Sequence, residues 1–276
     1  MILLNGIPVK INKFPNGETL IKTEDLTIDL ENIVTVKFED DSDLMNMIFI
    51  ASHIKESNKK AVLHIPYMPY SRMDRTEGQT VFTLKYICRI INSLNFDKVL
   101  INEPHSDVCV ALLDRVEVVN STAEITTKFL DIIYRKEPNS NIYIVYPDGG
   151  ATKRYGKQIS HDKVLTCTKD RDFSTGYIKQ LTINGEVPTE PFVAIIIDDL
   201  SSKGGTFMLT AQKLRELGAT EIILIVTHCE KTIFCGDIFA TDVINKVITT
   251  NSILDENDEI VQDAINKGRL DILQLL

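Results

Sequence analysis

The sequence lacks any run of about eighteen consecutive apolar residues, which is the length that a membrane-spanning helix requires. The start of the chain, Met1 to Pro8, also lacks the long apolar region of a secretory signal. Basic residues are fewer than acidic ones, giving a formal net charge of -9 at pH 7, and they form no basic stripe of the kind that binds nucleic acid. These absences predict a soluble, cytoplasmic protein that binds neither membranes nor nucleic acid.

Cysteine is scarce and odd in number. The five cysteines lie mostly among apolar residues, which predicts reduced thiols with structural roles in a reducing compartment; they are Cys88, Cys109, Cys167, Cys229 and Cys235. His228 and Cys229 do not form a standard zinc-ligand spacing with Cys235, so we expect no zinc site there.

The chain has enough apolar residues for a substantial core, with 276 residues of which 43% are hydrophobic. Apolar stretches with strand patterns alternate with amphipathic helical patterns, which predicts an α/β fold. The polar segment from Arg135 to Ser140 resembles a linker, and a similar series of strand, polar loop and helix occurs on both sides of it. We therefore predict two similar α/β domains, residues 1–138 and 139–276.

Two adjacent acids follow the most apolar stretch of the chain. Ala194 to Ile197 contains three β-branched residues in a row, which predicts a strand buried on both faces, ended by Asp198 and Asp199. Burying carboxylates costs free energy unless they meet a polyhydroxyl, cationic or metal partner. The pair therefore indicates a ligand site at the carboxyl end of a parallel sheet.

The segment after the acids is rich in small residues. Two glycines let successive backbone N–H groups point towards one place at the start of a helix, which we expect to end at Gly218. This pattern predicts an anion-binding cradle, with a plain strand-to-helix turn as the alternative; its residues are Ser201, Ser202, Lys203, Gly204, Gly205 and Thr206.

Polar segments follow four other predicted strands, at the end where α/β proteins place their ligands. Surface charge or helix capping would explain each segment taken alone. The candidate residues in these segments are Arg72 and Asp74, His105, Asp148, and Lys169 with Arg171. A further candidate is Phe14-Pro15-Asn16-Gly17-Glu18, in which Asn-Gly is typical of a tight hairpin turn.

Taken in order, these segments resemble those of ribose-phosphate diphosphokinases, which have two tandem phosphoribosyltransferase-type domains. The resemblance extends over nearly the whole chain. In that family Asp198 and Asp199 would hold the ribose hydroxyls, and the segment from Ser201 to Thr206 would bind the ribose 5-phosphate group. Lys169 and Arg171 match the basic residues that face the migrating phosphates.

The resemblance also assigns the nucleotide site. Phe14 would stack on adenine while Asn16 and Glu18 form hydrogen bonds to it, and Arg72 and Asp74 would contact the nucleotide. His105 and Asp148 would position the magnesium of MgATP. Because the Phe14 loop of relatives reaches a neighbouring subunit, the resemblance implies a homo-oligomer with shared active sites.

The implied reaction is transfer of diphosphate from MgATP to the anomeric hydroxyl of a ribose phosphate, with release of AMP. Relative to the family pattern, Ser202 replaces an acid and Lys203 replaces a threonine, which makes the cradle more positive. We therefore hypothesise a 5-substituted acceptor such as ADP-ribose, with a product used in NAD salvage, beside ribose 5-phosphate itself. A phosphoribosyltransferase that does not use ATP and a catalytically silent regulatory relative are the alternatives.

Overall fold

Buried strands rich in isoleucine and valine form two separate sheets, each with its own hydrophobic core. The computed structural model describes residues 1–76, 78–171 and 178–275. It divides into two units, Met1–Val119 and Asn120–Leu275. Each unit is a mainly parallel sheet with helices, so the predicted α/β fold class is confirmed.

Among the residues that the structure describes, the first unit contains a six-stranded sheet, a separate two-stranded hairpin and three α-helices. Its elements are β1 (Ile2–Leu4), β2 (Ile7–Pro8), β3 (Asn12–Lys13), β4 (Thr19–Leu20), β5 (Glu31–Val36), α1 (Asp41–Glu56), β6 (Lys60–Ile65), α2 (Thr83–Ser93), β7 (Lys98–Asn102), α3 (Asp107–Leu112) and β8 (Val116–Val119). The strand order is β2-β1-β5-β6-β7-β8, and strands β5 to β8 are parallel to one another.

The helices of the first unit form where local patterns favour them. The Asp40 carboxylate accepts a hydrogen bond from the Ser42 N–H and caps α1, which then buries Met47, Ile50 and Ile54 in the core. The apolar spacing of residues 43–55 predicts a helix by itself, and α1 agrees closely with it. The spacing of residues 80–95 also predicts a helix, which is observed in shorter form as α2.

The described part of the second unit contains a seven-stranded sheet and four α-helices. Its elements are α4 (Ser121–Lys136), β9 (Ile142–Tyr146), α5 (Gly149–Tyr155), β10 (Val164–Arg171), β11 (Ile178–Gly185), β12 (Phe192–Ser201), α6 (Gly205–Glu216), β13 (Ala219–Cys229), β14 (Lys246–Thr250), α7 (Glu259–Asn266) and β15 (Leu270–Leu273). The strand order is β11-β10-β9-β12-β13-β14-β15, with β11 antiparallel to β10 and all other neighbours parallel.

Both faces of this second sheet are covered. Ile195 and Ile197 of β12 pack on the face that carries Ala123 of α4 and Tyr155 of α5. Alternate β12 residues lie on the other face, where the core includes side chains of α6 and α7. The two-sided burial explains the nearly continuous apolar sequence of this strand.

The division between the units differs from the boundary that we placed after residue 138. Helix α4 packs through Ala123 and Leu130 on the core of the second unit, and the units divide between Val119 and Asn120. The amphipathic pattern of α4 predicts a helix, but it does not specify which of two sheets the helix covers.

Three local predictions were wrong. Asp198 and Asp199 do not end their strand, because β12 pairs with β13 as far as Ser201. The composition of residues 172–191 predicts a turn-rich excursion, but residues 178–185 form β11, and Leu181 contributes to the core. The sequence from Gly150 to Ser160 predicts a helix, but α5 ends at Tyr155.

Candidate active site

The second sheet has a crevice where its strand order changes direction. From β9 the chain crosses to β10 on one side, and β12 then lies on the other side of β9. Ligands of open α/β sheets bind at such switch points, beyond the carboxyl ends of the strands. Asp148 follows β9 and Asp198 lies near the end of β12, so both acids lie beside the crevice.

Asp148 and Lys169 form an ion pair at this edge of the sheet. Asp148 is the N-cap of α5 and accepts a hydrogen bond from the Ala151 N–H at 3.0 Å. The Lys169 Nζ lies 2.9 Å from the Asp148 Oδ2, and the lysine side chain is only 8% exposed. Lys169 lies within β10 and not in a loop after it, because β11 extends the pairing of β10 to Arg171.

The surroundings of Asp148 favour its ionised form. Burial disfavours the charge, but the Ala151 N–H and the Lys169 ammonium outweigh that effect and lower the pKa of Asp148 below its ordinary value. The pair is therefore a carboxylate and an ammonium that compensate each other. The side chain of Arg171, the other predicted catalytic residue, lies outside the part of the molecule that the structure describes.

The two neighbouring acids of β12 have different surroundings. The Asp199 carboxylate is buried and lies 3.2 Å from Nη1 of Arg154, which α5 supplies. Asp198 is partly buried, and its Oδ1 accepts a hydrogen bond from the Asp199 N–H. Burial, with the nearby charges of Asp199 and Asp148, raises the pKa of Asp198 well above its ordinary value.

The predicted anion cradle is a sharp turn that leads directly into α6. Gly204 is the N-cap of α6 with φ +78°, in the left-handed region that favours glycine. A Cβ atom at Gly204 would lie 2.2 Å from Cδ1 of Ile238, whereas one at Gly205 would lie in open space. Because Gly205 is exposed and Thr206 partly exposed, the first N–H groups of α6 lie at the surface, where an anion can bind them.

The remaining cradle side chains differ in exposure. Ser201 is buried and donates a hydrogen bond to the Ser202 carbonyl oxygen, while the Ser202 hydroxyl lies 3.0 Å from that of Thr232. Lys203 is exposed. The cradle therefore offers N–H groups, hydroxyls and one ammonium to an anion.

Buried hydroxyl groups hold the strand ends beneath this crevice together. The Thr122 hydroxyl, at the start of α4, donates to the Asp198 carbonyl oxygen at 3.1 Å and lies 2.7 Å from the Thr227 hydroxyl. The Thr250 hydroxyl donates to the Thr227 carbonyl oxygen. Sequence reasoning missed Thr122 and Arg154, because nothing in their local pattern distinguishes them from ordinary helix residues.

In the first unit, the predicted adenine loop is an exposed hairpin. The Phe14 N–H donates to the Glu18 carbonyl oxygen at 2.8 Å, and the Asn16 side chain accepts a hydrogen bond from the Glu18 N–H. Gly17 has φ +90°, as the tight turn requires, and the Phe14 side chain is 49% exposed. The predicted hairpin turn is therefore confirmed.

The other predicted nucleotide contacts follow β6 and β7. These strands are parallel neighbours, so the segments after them share one edge of the sheet. Arg72 is exposed, Asp74 lies 4.0 Å from Nε of Arg75, and His105 is partly buried. Tyr70, in the same segment, has φ +60° and donates a hydrogen bond from its hydroxyl to the Asp41 carboxylate.

The donor set suits magnesium only as part of a nucleotide complex. Within residues 1–76, 78–171 and 178–275, no group of three or more His, Cys, Asp or Glu side chains is arranged to hold a metal ion. Asp148 offers one carboxylate and His105 one imidazole. Because Mg²⁺ commonly binds through one or two carboxylates together with substrate phosphates and water, Asp148 by itself fits as one ligand of a magnesium ion that arrives with ATP.

Comparisons with known proteins agree with this geometry. The family model for the N-terminal domain of ribose phosphate pyrophosphokinase matches residues 3–94. The ribose-phosphate pyrophosphokinase of Pyrococcus abyssi is 26% identical over 268 residues, covering 93% of this chain and 88% of that protein. The enzyme of the same name from Sulfolobus acidocaldarius is 26% identical over 266 residues, covering 92% and 87%.

A solved structure has the same fold. The crystal structure of phosphoribosylpyrophosphate synthetase from Mycobacterium smegmatis matches with a TM-score of 0.73 at 18% identity, covering 96% of this chain and 85% of that one. The parallel sheets, the adjacent acids of β12 and the glycine turn before α6 define a protein of the phosphoribosyltransferase-type fold. Within that class, the chain is similar along most of its length to ribose-phosphate pyrophosphokinases. No helix among the described residues is long and apolar enough to span a membrane.

Proposed function

We propose that this protein is a diphosphotransferase that moves the β,γ-diphosphate of ATP to the anomeric hydroxyl of a ribose phosphate. The observation that carries this proposal is the convergence, in the second unit, of the Asp148 and Lys169 pair, the two acids of β12 and the Gly204 turn at one sheet edge. Relatives with the printed name ribose-phosphate pyrophosphokinase cover nine tenths of the chain, which supports the same activity.

The reaction depends on alignment of the substrates and neutralisation of phosphate charge more than on covalent catalysis by the protein. The anomeric oxygen attacks the β-phosphorus, the bond from that phosphorus to the oxygen of the α-phosphate breaks, and AMP leaves with that oxygen. The hydroxyl proton passes to solvent. The Lys169 ammonium, with Arg171, would stabilise the negative charge on the migrating diphosphate, and magnesium bound to the nucleotide would neutralise further phosphate charge.

The acceptor would bind at β12 and α6. Asp198 and Asp199 would accept hydrogen bonds from the ribose hydroxyls. The segment from Ser201 to Thr206 would bind the 5-phosphate through N–H groups and hydroxyls. ATP would bind through the loops of the first unit, with Phe14, Asn16 and Glu18 at adenine, Arg72 and Asp74 at the nucleotide, and His105 as a contact of its magnesium.

The relatives' names favour a ribose phosphate as the acceptor, and ribose 5-phosphate is the first candidate. ADP-ribose, for a role in NAD salvage, is the second candidate, because Lys203 is exposed beside the glycine turn and Ser202 brings no negative charge. An exposed ammonium there suits a diphosphate better than a threonine would. Incubation with MgATP and each acceptor, followed by mass spectrometry of the pyrophosphorylated sugar, distinguishes them; turnover of ribose 5-phosphate alone would exclude ADP-ribose.

The same incubation tests the proposal against its alternatives. A phosphoribosyltransferase would release no AMP from ATP and an acceptor, and a silent regulatory relative would turn over neither substrate. The burial of Lys169 in a compensated ion pair argues against the silent relative, because a buried lysine is costly to retain without a role. Failure to release AMP with either acceptor would contradict the proposal.

A homo-oligomer with shared active sites is part of the same proposal. Phe14 is a large apolar side chain, half exposed at the tip of a hairpin, which supports a contact with a second subunit or with adenine. Light scattering of the wild type and of Phe14→Ser would show whether the protein forms an oligomer that depends on this hairpin.

A further inference from the structure

Arg154 connects helix α5 to the acid-bearing strand of the site. Its Nη1 lies 3.2 Å from Oδ2 of Asp199, and the two side chains are only 24% and 8% exposed. The arginine CZ also lies 5.8 Å from the centre of the Tyr155 ring. The guanidinium is therefore held on one side by a carboxylate and on the other by an aromatic side chain that is itself fully buried.

The alternation of side chains along β12 explains why this contact forms. Asp199 shares a face with Ile195 and Ile197, and that face packs against α5. Asp198 is one residue earlier, so its side chain leaves the strand on the other face. Of the two acids, Asp199 is therefore the one that a residue of α5 can reach.

The charges at the sheet edge show why Asp199 needs a cation. Three acids converge there, and Lys169 forms its ion pair with Asp148. Without Arg154, Asp199 would be a buried carboxylate next to a second carboxyl group and would lose the guanidinium nitrogen that lies 3.2 Å from it. Arg154 therefore offsets the cost of burying the Asp199 carboxylate and restricts its orientation.

We propose that Arg154 is a positioning residue for the acceptor: its ion pair fixes the Asp199 carboxylate in the orientation that receives the ribose hydroxyls. This inference rests on the proposed function, because it assigns the same acids to the ribose. Arg154 itself does not contact the sugar. A guanidinium is planar and an ammonium is not, so a lysine would replace the charge but not the geometry.

The test compares Arg154→Met with Lys157→Met, a matched control that removes an exposed positive charge just beyond α5. KM and kcat are measured by AMP release with the acceptor that the wild type uses, and acceptor binding is measured separately by calorimetry. Arg154→Met is expected to raise the acceptor KM about tenfold or more while the ATP KM changes less than about twofold. Arg154→Lys is expected to recover part of the loss, and Lys157→Met to behave as wild type.

A double-substitution cycle separates positioning from a general structural role. If Arg154 acts through Asp199, adding Arg154→Met to Asp199→Asn is expected to change the acceptor KM by less than about twofold. An equal effect in both backgrounds, or an acceptor KM for Arg154→Met within about twofold of wild type, would overturn the inference. If Arg154→Met does not fold, the acceptor KM is measured instead for Arg154→Lys and for the Arg154→Met, Asp199→Asn double variant, in which neither partner of the ion pair is left as an unpaired buried charge.

The outcomes also distinguish this inference from the proposed function. A wild-type protein that neither releases AMP nor binds ribose 5-phosphate or ADP-ribose contradicts the proposed function, whatever the variants do. A wild type that turns over its acceptor, with an Arg154→Met variant that does so at the same KM, contradicts only the role of Arg154.

Discussion

Replacing Lys169 with methionine is the sharpest test of the proposed chemistry. Methionine keeps most of the length and apolar volume of the lysine stem but removes the ammonium that lies 2.9 Å from Asp148. If that ammonium stabilises the migrating diphosphate, its removal raises the free energy of the transition state more than that of the bound substrates. We therefore expect kcat to fall about 10²- to 10³-fold, as for loss of one oriented charge-stabilising donor.

The same substitution is expected to have a much smaller effect on stability. Asp148 is 40% exposed, so water can solvate its carboxylate after the lysine is removed, and it keeps its hydrogen bond from Ala151. The free energy of unfolding should fall by only about 1 kcal/mol. Loss of activity would therefore not follow from loss of folded protein.

The assay is AMP release at saturating ATP and acceptor, together with urea unfolding of the same preparations. Lys163→Met is the matched control, because Lys163 is an exposed residue just before β10 whose ammonium donates to the Asn141 side chain and lies 5.8 Å from the centre of the Tyr143 ring, away from the three acids. A Lys169→Met variant that keeps kcat within about threefold of wild type would refute the role that we assign to this residue.

Three further predictions concern the residues around Lys169. Gly204→Ala should destabilise the protein by about 1 to 3 kcal/mol because of the positive φ and the clash with Ile238. Gly205→Ala should unfold like wild type yet bind the acceptor less tightly, because a Cβ atom there lies in open space. Equal melting curves for the two variants would contradict this prediction. Because the pKa of Asp198 is raised, ionisation of this carboxyl group lowers the stability of the fold as the pH rises above about 3.8. In urea unfolding, the free energy of unfolding of Asp198→Asn should therefore exceed that of the wild type by about 1 kcal/mol at pH 7 and equal it at pH 3. Because the pKa of Asp148 is lowered, the stability that this carboxylate contributes is present above about pH 3.8 and is lost as the pH falls through its folded-state pKa. Asp148→Asn should remove that part of the dependence of unfolding on acid. An unchanged pH profile of stability would contradict the lowered pKa of Asp148.

Local sequence information was sufficient for much of the fold. The start of α1 depends on the capping carboxylate of Asp40, and α6 ends before Gly218, which has φ +95°. The hairpin at Asn16 and Gly17 depends on turn chemistry within five residues. Each of these features forms through contacts between residues close in the chain, so the pattern alone predicts it.

Other features depended on partners distant in the chain. Strand β12 continues through Asp198 and Asp199 only because β13 lies beside it and accepts the pairing. Residues 178–185 form a strand because β10 offers a free edge, although their composition is typical of turns. Helix α7 has a buried face and an Asp258 cap, yet we did not predict it from the sequence.

By itself, the sequence determined the types of residue at each strand end and their order along the chain, and these were sufficient to indicate an α/β fold and a phosphate-binding site. Only the tertiary structure decided how those charges are paired: Lys169 with Asp148, and Arg154 with Asp199. The physical reason is that such pairs form across neighbouring strands and between a strand and the helix packed on it. Spacing along the chain carries no information about which of these elements become neighbours.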